Sequence, residues 1–146
     1  MIEQDFAQLS NARLDAGELG YSSFFGANLF GASLVSASLE HANLAASDLR
    51  FADCTRVNLS GANLFAVNAF LATFDFGSLA GADARFGGFQ AARLFNVDLN
   101  GTDLRSATLK QADLDLATLR GAIIDETTVI DAKPKLVWQI VNNGPS

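Results

Sequence analysis

This 146-residue chain offers few residues from which to build a reaction: one histidine (His41), one cysteine (Cys54) and a scatter of carboxylates. A nucleophile, a base and a group that orients the base do not assemble around a lone histidine. Metal sites draw on clustered Cys, His and carboxylate ligands, and no such spacing occurs. No glycine-rich loop leads into a helix, so no phosphate cradle is visible. Seven acids do share one position. Glu18, Asp48, Asp53, Asp83, Asp98, Asp103 and Asp113 each stand directly before a residue of a five-residue register. On these residues the chain reads as a non-enzyme without a cofactor.

The register runs from Leu9 to Val129. It has 25 central positions, of which 17 are Leu and none is charged. Two residues earlier stands a small side chain, as in Ala27, Ala32, Ala37, Ala42 and Ala62. Between the two stands mostly Asn, Asp, Ser or Thr, as in Ala27-Asn28-Leu29 and Ala112-Asp113-Leu114. A period of five suits neither an amphipathic helix, near 3.6, nor a half-buried strand, at 2. A strict short repeat implies a solenoid whose units bury their apolar faces only by stacking. Gly26, Gly31, Gly61, Gly81, Gly101 and Gly121 end their units, where the chain must turn a corner.

This pattern resembles the pentapeptide repeat family, whose unit reads Ala-(Asp/Asn)-Leu-X-X, over roughly residues 7–131. The resemblance implies an all-β solenoid: a right-handed quadrilateral β-helix with one unit per side, so that residues twenty apart stack. About six coils at the strand spacing of about 4.8 Å make a rod roughly 30 Å long. The Asp series before the central residues then belongs to the family's own pattern. Some members are similar to duplex DNA in size, shape and charge, and bind DNA gyrase in its place.

Length fits one domain, residues 1–146. No apolar run approaches the ~20 residues of a membrane span, and no secretory signal is visible at the start, so a cytoplasmic chain without a membrane is expected. One cysteine excludes an internal disulfide, and Cys54, at a central position, reads as a small buried hydrophobe. Past Val129, Leu136, Val137, Ile140 and Val141 recur at helical spacing beside Trp138, with Pro134 before them and Asn143-Gly144 after. This predicts a short helix over about residues 132–142 that closes the last coil, an ending similar to those of cyanobacterial members. Ile2 and Phe6 are expected to fold over the first coil. Two central residues are small, Ala69 and Ala84. Phe89 stacks beyond Ala69 and follows Gly87-Gly88, which predicts a local distortion at residues 84–89.

Function in such a rod falls to the outward positions. Phe30, Phe51, Phe70 and Leu71 follow central residues of one face, and Phe25, Phe65 and Phe86 follow those of the preceding face. Six of the eight outward Phe residues belong to this pair of faces, taken to share a corner; Phe76 and Phe95 are the others. Exposed apolar patches mark interaction sites, so these seven residues are the candidate binding surface for a protein partner of unknown identity. Simple ring stacking along the rod is the competing reading, favoured if the rings lie under Arg50 and Arg85. The net charge of −6 is compatible with a DNA mimic acting on gyrase, but Arg50, Arg56, Arg85, Arg93, Arg105 and Arg120 interrupt the acids. A structural spacer is the third alternative. No basic stripe supports direct nucleic-acid binding. A monomer or weak homodimer is expected.

Overall fold

The backbone repeats with the sequence. In the computed structural model, which describes residues 1–131, each unit of five ends in a two-residue turn. The carbonyl of the central residue accepts the N–H three residues on, as from Ala12 to Leu9 at 3.0 Å and from Ala37 to Leu34 at 3.0 Å. The second turn residue has φ between 54° and 72° at every fifth position from Phe6 to Gly121. This bond with positive φ at the third of four residues is the type II turn pattern. Only six of these positions are glycine, the six that the sequence marks as corners. At Gly26, a Cβ would also stand 2.7 Å from the Phe6 ring, which leans along the rod from the coil before.

Between turns the chain is extended for three residues, and each such side pairs in parallel with the side one coil later. The bridges run from Glu3↔Ser23 to Asp103↔Ile123, always twenty residues apart. Leu9 N–H donates to Asn28 O at 2.8 Å, and Asn28 N–H donates back to Ala7 O at 2.9 Å. Four five-residue sides therefore close each coil. The small and central residues point inward and are almost wholly buried, while the residue between them faces out. Two buried polar side chains at small positions donate to turn carbonyls, Ser47 Oγ to Leu44 O and Thr102 Oγ1 to Leu79 O, both at 2.7 Å, and a third, Ser22 Oγ, accepts Ile2 N–H at 2.9 Å. No helix among the described residues is long and apolar enough to cross a membrane.

Three expectations are corrected by this backbone. Ile2 and Phe6 do not fold over the first coil. They belong to it: Glu3 bridges Ser23, Ser23 N–H donates to Ile2 O, and Gln4 holds the central position. Ile2 and Phe6 are exposed, and the repeat begins earlier than residue 7. The distortion at residues 84–89 is absent. Asp83↔Asp103 and Gly88↔Thr108 keep the twenty-residue register, and Ala69, Ala84 and Phe89 are fully buried. The volume missing at the two alanines is taken up by rings: Phe74 and Phe89 pack at 6.0 Å between centroids. Gly87 makes room for the Phe89 ring, since a Cβ there would meet Phe89 Cε2 at 2.5 Å.

The third correction lies in the last coil. β1 (Thr108–Leu109) pairs with β2 (Val129–Ile130) in the register Thr108↔Val129, which is 21 residues rather than twenty. One extra residue has entered after Ile124. Asp125 organises it by accepting Thr127 N–H at 2.9 Å, and its carbonyl accepts Thr128 N–H at 3.1 Å. Thr128 takes the small position and bonds Leu104 O through Oγ1 at 2.9 Å. Ile130 therefore packs on the core, and Val129, the residue that the register assigns to the interior, is exposed. The predicted helix at 132–142, with Leu136, Trp138 and Ile140, lies outside the described residues.

Two substitution pairs test this packing by urea or thermal midpoint. Gly87→Ala forces a Cβ against the Phe89 ring and is expected to destabilise by about 1–3 kcal/mol. Gly88→Ala, whose Cβ meets nothing closer than 3.5 Å, should stay within about 0.5 kcal/mol of wild type. Ile130→Ser should lower the midpoint more than Val129→Ser, and the reverse order would contradict the shifted register.

Candidate protein-binding surface

The outward acids are built into the turns. A carboxylate or amide before a central residue accepts the otherwise unpaired N–H of the first turn residue. Asp48 accepts from Arg50 at 3.1 Å, Asp53 from Thr55 at 3.0 Å, Asp98 from Asn100 at 2.9 Å, and Asn63 from Phe65 at 3.0 Å. This is the Asx-type bond that suits Asp and Asn to turns. In four units with Ser, Arg or Thr at that position, a residue twenty before the turn takes over. Asp5 accepts Phe25 N–H at 3.2 Å, Asp15 accepts Val35 N–H at 3.1 Å, Asp75 accepts Phe95 N–H at 3.3 Å and Asn100 accepts Arg120 N–H at 2.7 Å. Ser23 and Ser33 donate their hydroxyls to the same Asp5 and Asp15 carboxylates.

In three places Arg occupies the first turn position and doubles back onto the acid two residues before. Arg50, Arg85 and Arg105 each reach Asp48, Asp83 and Asp103 through Nε and a terminal nitrogen, the latter at 2.6–2.7 Å. The paired guanidinium holds each of these carboxyls below the usual carboxylate range. Cys54 is fully buried, and burial pushes its thiol far up, so it offers no thiolate. His41 lies at an exposed corner, stacked on Tyr21 at 5.0 Å. Among the described residues no three His, Cys, Asp or Glu side chains converge to hold a metal ion.

The structure divides the candidate aromatic residues between two corners. Phe25, Phe65 and Phe86 lie in the turns that precede the side carrying Leu29, Leu49, Ala69 and Phe89; Phe30, Phe51, Phe70 and Leu71 lie in the turns that follow it. They therefore form two ridges along opposite edges of one side, about 10 Å apart for three extended residues. Phe6 extends the first ridge, packing edge-on to Phe25 at 5.4 Å. The sequence hid it because its unit has polar Gln4 at the centre. Along the ridges Phe65 meets Phe86 at 5.3 Å, Phe30 meets Phe51 at 5.3 Å, and Phe51 meets Phe70 at 6.0 Å. Arg50 stands over the Phe30 ring at 5.3 Å and Arg85 over Phe65 at 5.4 Å. Phe25 and Phe70 lie under neither. The rings thus stack and still face water: Phe86 is 58% exposed, Phe51 50%, Leu71 42% and Phe70 39%. Between the ridges the outward residues are Asn28, Asp48, Asn68 and Gly88.

The paired acids set a pH dependence. Their folded pKa values lie below the unfolded value of about 3.9, so their contribution is present above that value and is lost as pH falls through the folded one. The urea midpoint should fall as pH drops below about 4, and Asp83→Asn should flatten that fall while keeping the turn bond. An unchanged slope in that variant would show that the pair carries none of it.

A profile of pentapeptide repeats matches residues 7–44, 27–64 and 89–127, as eight copies. The unmatched stretch holds Ala69, Phe74, Gly77, Ala84 and Gly87, the unusual interior residues, yet the ladder passes through it without a break. No curated protein matches the chain. Among solved structures it is similar to the pentapeptide repeat protein Rfr23 of the cyanobacterium Cyanothece 51142, with a TM-score of 0.54 and 27% identity over 78% of this chain. The match spans 64% of the length of Rfr23. It is also similar to the pentapeptide repeat protein alr5209 of Nostoc Pcc 7120, with a TM-score of 0.59 and 27% identity over 73% of this chain and 81% of that one. The five-residue register, the four-sided parallel ladder and these matches lead to one conclusion: the chain belongs to the pentapeptide repeat family, whose members fold as right-handed quadrilateral β-helices.

Proposed function

We propose that this chain is a non-catalytic interaction scaffold, a rod of about six coils that docks a protein partner on the side between the two aromatic ridges. The exposure of the ridge is the observation that supports it most. Phe51 packs against two other rings and remains half exposed. Contiguous apolar surface of this kind marks interaction sites, and aromatic residues dominate binding hot spots. The ridge stands on a hydrogen-bonded ladder, so a partner meets a surface already ordered and little freedom is lost on docking. A DNA mimic requires a continuous acidic stripe. Here the acids are distributed over all four sides, and Asp48, Asp83 and Asp103 are neutralised by their own arginines. A spacer leaves the exposed rings without a role.

The test compares three baits in lysate from the source cell: wild type, Phe51→Ser/Phe86→Ser, and a control with Ser60→Lys on another corner, all first shown to melt cooperatively. A protein held by wild type and by the control but lost by the double-Ser bait is the expected result. Equal retention by all three would move the site off the ridges, and recovery of gyrase subunits by all three would favour the mimic.

A further inference from the structure

The last coil closes in a register of its own, and the residues that close it suit either of two. Thr108 pairs with Val129 and Leu109 with Ile130, 21 residues apart, whereas the bridges from Glu3↔Ser23 to Asp103↔Ile123 all span twenty. At twenty, Val129 would be the inward residue and Thr128 the outward one. At 21, Ile130 packs on the core and Val129 is 47% exposed. Both are β-branched and apolar. The small position is duplicated in the same way. Thr102 Oγ1 donates to Leu79 O, 23 residues before it, at 2.7 Å. Thr128 Oγ1 makes that bond to Leu104 O over 24 residues at 2.9 Å, and Thr127, one residue nearer, carries the same hydroxyl. Gln111 has two acceptors as well. Second turn residues donate to a backbone carbonyl nineteen residues on, as Ala91 does to Lys110 O at 3.0 Å. For Gln111 that carbonyl is Ile130 O at the ordinary register, and in the longer one the Asp131 carboxylate takes its N–H at 2.9 Å.

What holds the longer register lies in the turn before it. The second turn residues from Phe6 to Gly121 are all left-handed, and Glu126 is not among them. The inserted residue spares Glu126 that strained backbone. Asp125 does the rest. Its carboxylate accepts Thr127 N–H at 2.9 Å and Thr127 Oγ1 at 2.5 Å, and also Ser106 N–H from the coil before. Its own N–H donates to Thr128 Oγ1 at 3.2 Å. A one-residue slip turns the side chains of a strand to opposite faces. Here the slip exchanges like for like, so the interior does not choose between the registers and the turn does.

We propose that the last side of the rod is a two-register device, with Asp125 and Glu126 as the latch that holds it in the longer register. Released, it closes at the ordinary one, with Val129 inside, Thr128 outside and Glu126 left-handed. The exchange alters what the rod displays. This side continues the one between the aromatic ridges, whose outward residues are Asn28, Asp48, Asn68, Gly88 and Thr108. The latched register ends that series on Val129, an exposed apolar residue, and the released one ends it on a hydroxyl. That consequence rests on the reading of this side as a binding surface; the two registers do not.

Cysteine labelling reads the register. Val129→Cys and Ile130→Cys are made one at a time in the full chain, whose own Cys54 is buried, and each variant is first shown to melt cooperatively. A maleimide should react quickly at position 129 and slowly at position 130. In an Asp125→Ala/Glu126→Gly background the order should reverse, because Ala removes the acceptor and Gly accepts the left-handed turn. Asp125→Asn alone keeps an oxygen for Thr127 N–H and should keep the wild-type order. An unchanged order in the double variant overturns the proposal, since the turn then does not set the register. Fast labelling of both positions overturns it too, since the coil then frays instead of re-pairing. Reversed labelling with no change in the protein captured from lysate supports the two registers and refutes only their effect on docking.

Discussion

One residue in five must hold a left-handed backbone, and the rest of the structure follows from that demand. Left-handed φ costs an L-residue about 1–2 kcal/mol. It occurs here at 18 residues other than glycine, including Phe51, Arg56 and Leu71. No single turn could sustain that cost alone. Its N–H donates along the rod to the next coil, as Phe6 does to Phe25 O at 2.8 Å, and its neighbours bury a small and a large side chain. A coil is therefore stable only as part of the stack. Glycine at every corner would relieve the strain. The chain keeps glycine mainly at one corner, that of Gly61, Gly81, Gly101 and Gly121, and elsewhere places side chains on strained residues. Those corners are where outward chemistry can be displayed.

The interior was legible in the sequence because it tolerates so little. A column with no charged residue over 25 units leaves one reading of which side chain points in. The interior's local adjustments were less legible. Ala69 and Ala84 look like defects when each column is read by itself. The space is shared between columns, and Phe74 and Phe89 fill it from adjacent sides. The last coil misleads for another reason. Val129 and Ile130 are both β-branched and apolar, so either suits the interior, and the choice is made by Asp125 capping a longer turn four residues earlier.

The candidate site was legible as a set of residues and not as a shape. Grouping outward residues by the central residue before them puts Phe30 and Phe70 on the Leu29 face and Phe25 and Phe65 on the preceding one. In the backbone those residues are corners, and each corner belongs equally to the side that follows. The two groups become opposite edges of a single side. The role of the acids was legible in part for a similar reason. An Asp before its own central residue is visible as a motif. Asp5, Asp15 and Asp75 cap turns twenty residues away, which only the coil period reveals. Much of the acidity is thus a consequence of turn chemistry, and net charge by itself says little about what the rod binds.

The aromatic ridges do not reduce to the same bookkeeping. An edge-on ring pair contributes about 0.5–1.5 kcal/mol beyond its buried area, and an arginine over an exposed ring about 0.5–1 kcal/mol. These terms account for rings placed next to one another. They leave half of Phe51 and more than half of Phe86 in water. A Phe buries 150–250 Å² when fully enclosed, so a half-exposed ring retains about 100 Å², worth about 2.5 kcal/mol at 25 cal/mol per Å². The gain still available at each such ring exceeds what stacking has already supplied. The small positions offer these rings no alternative place, since even a Cβ at Gly77 or Gly87 would meet a neighbouring atom within 2.9 Å. Rings kept at the corners, on strained residues and beside neutralised charges, are placed where only another surface can cover them.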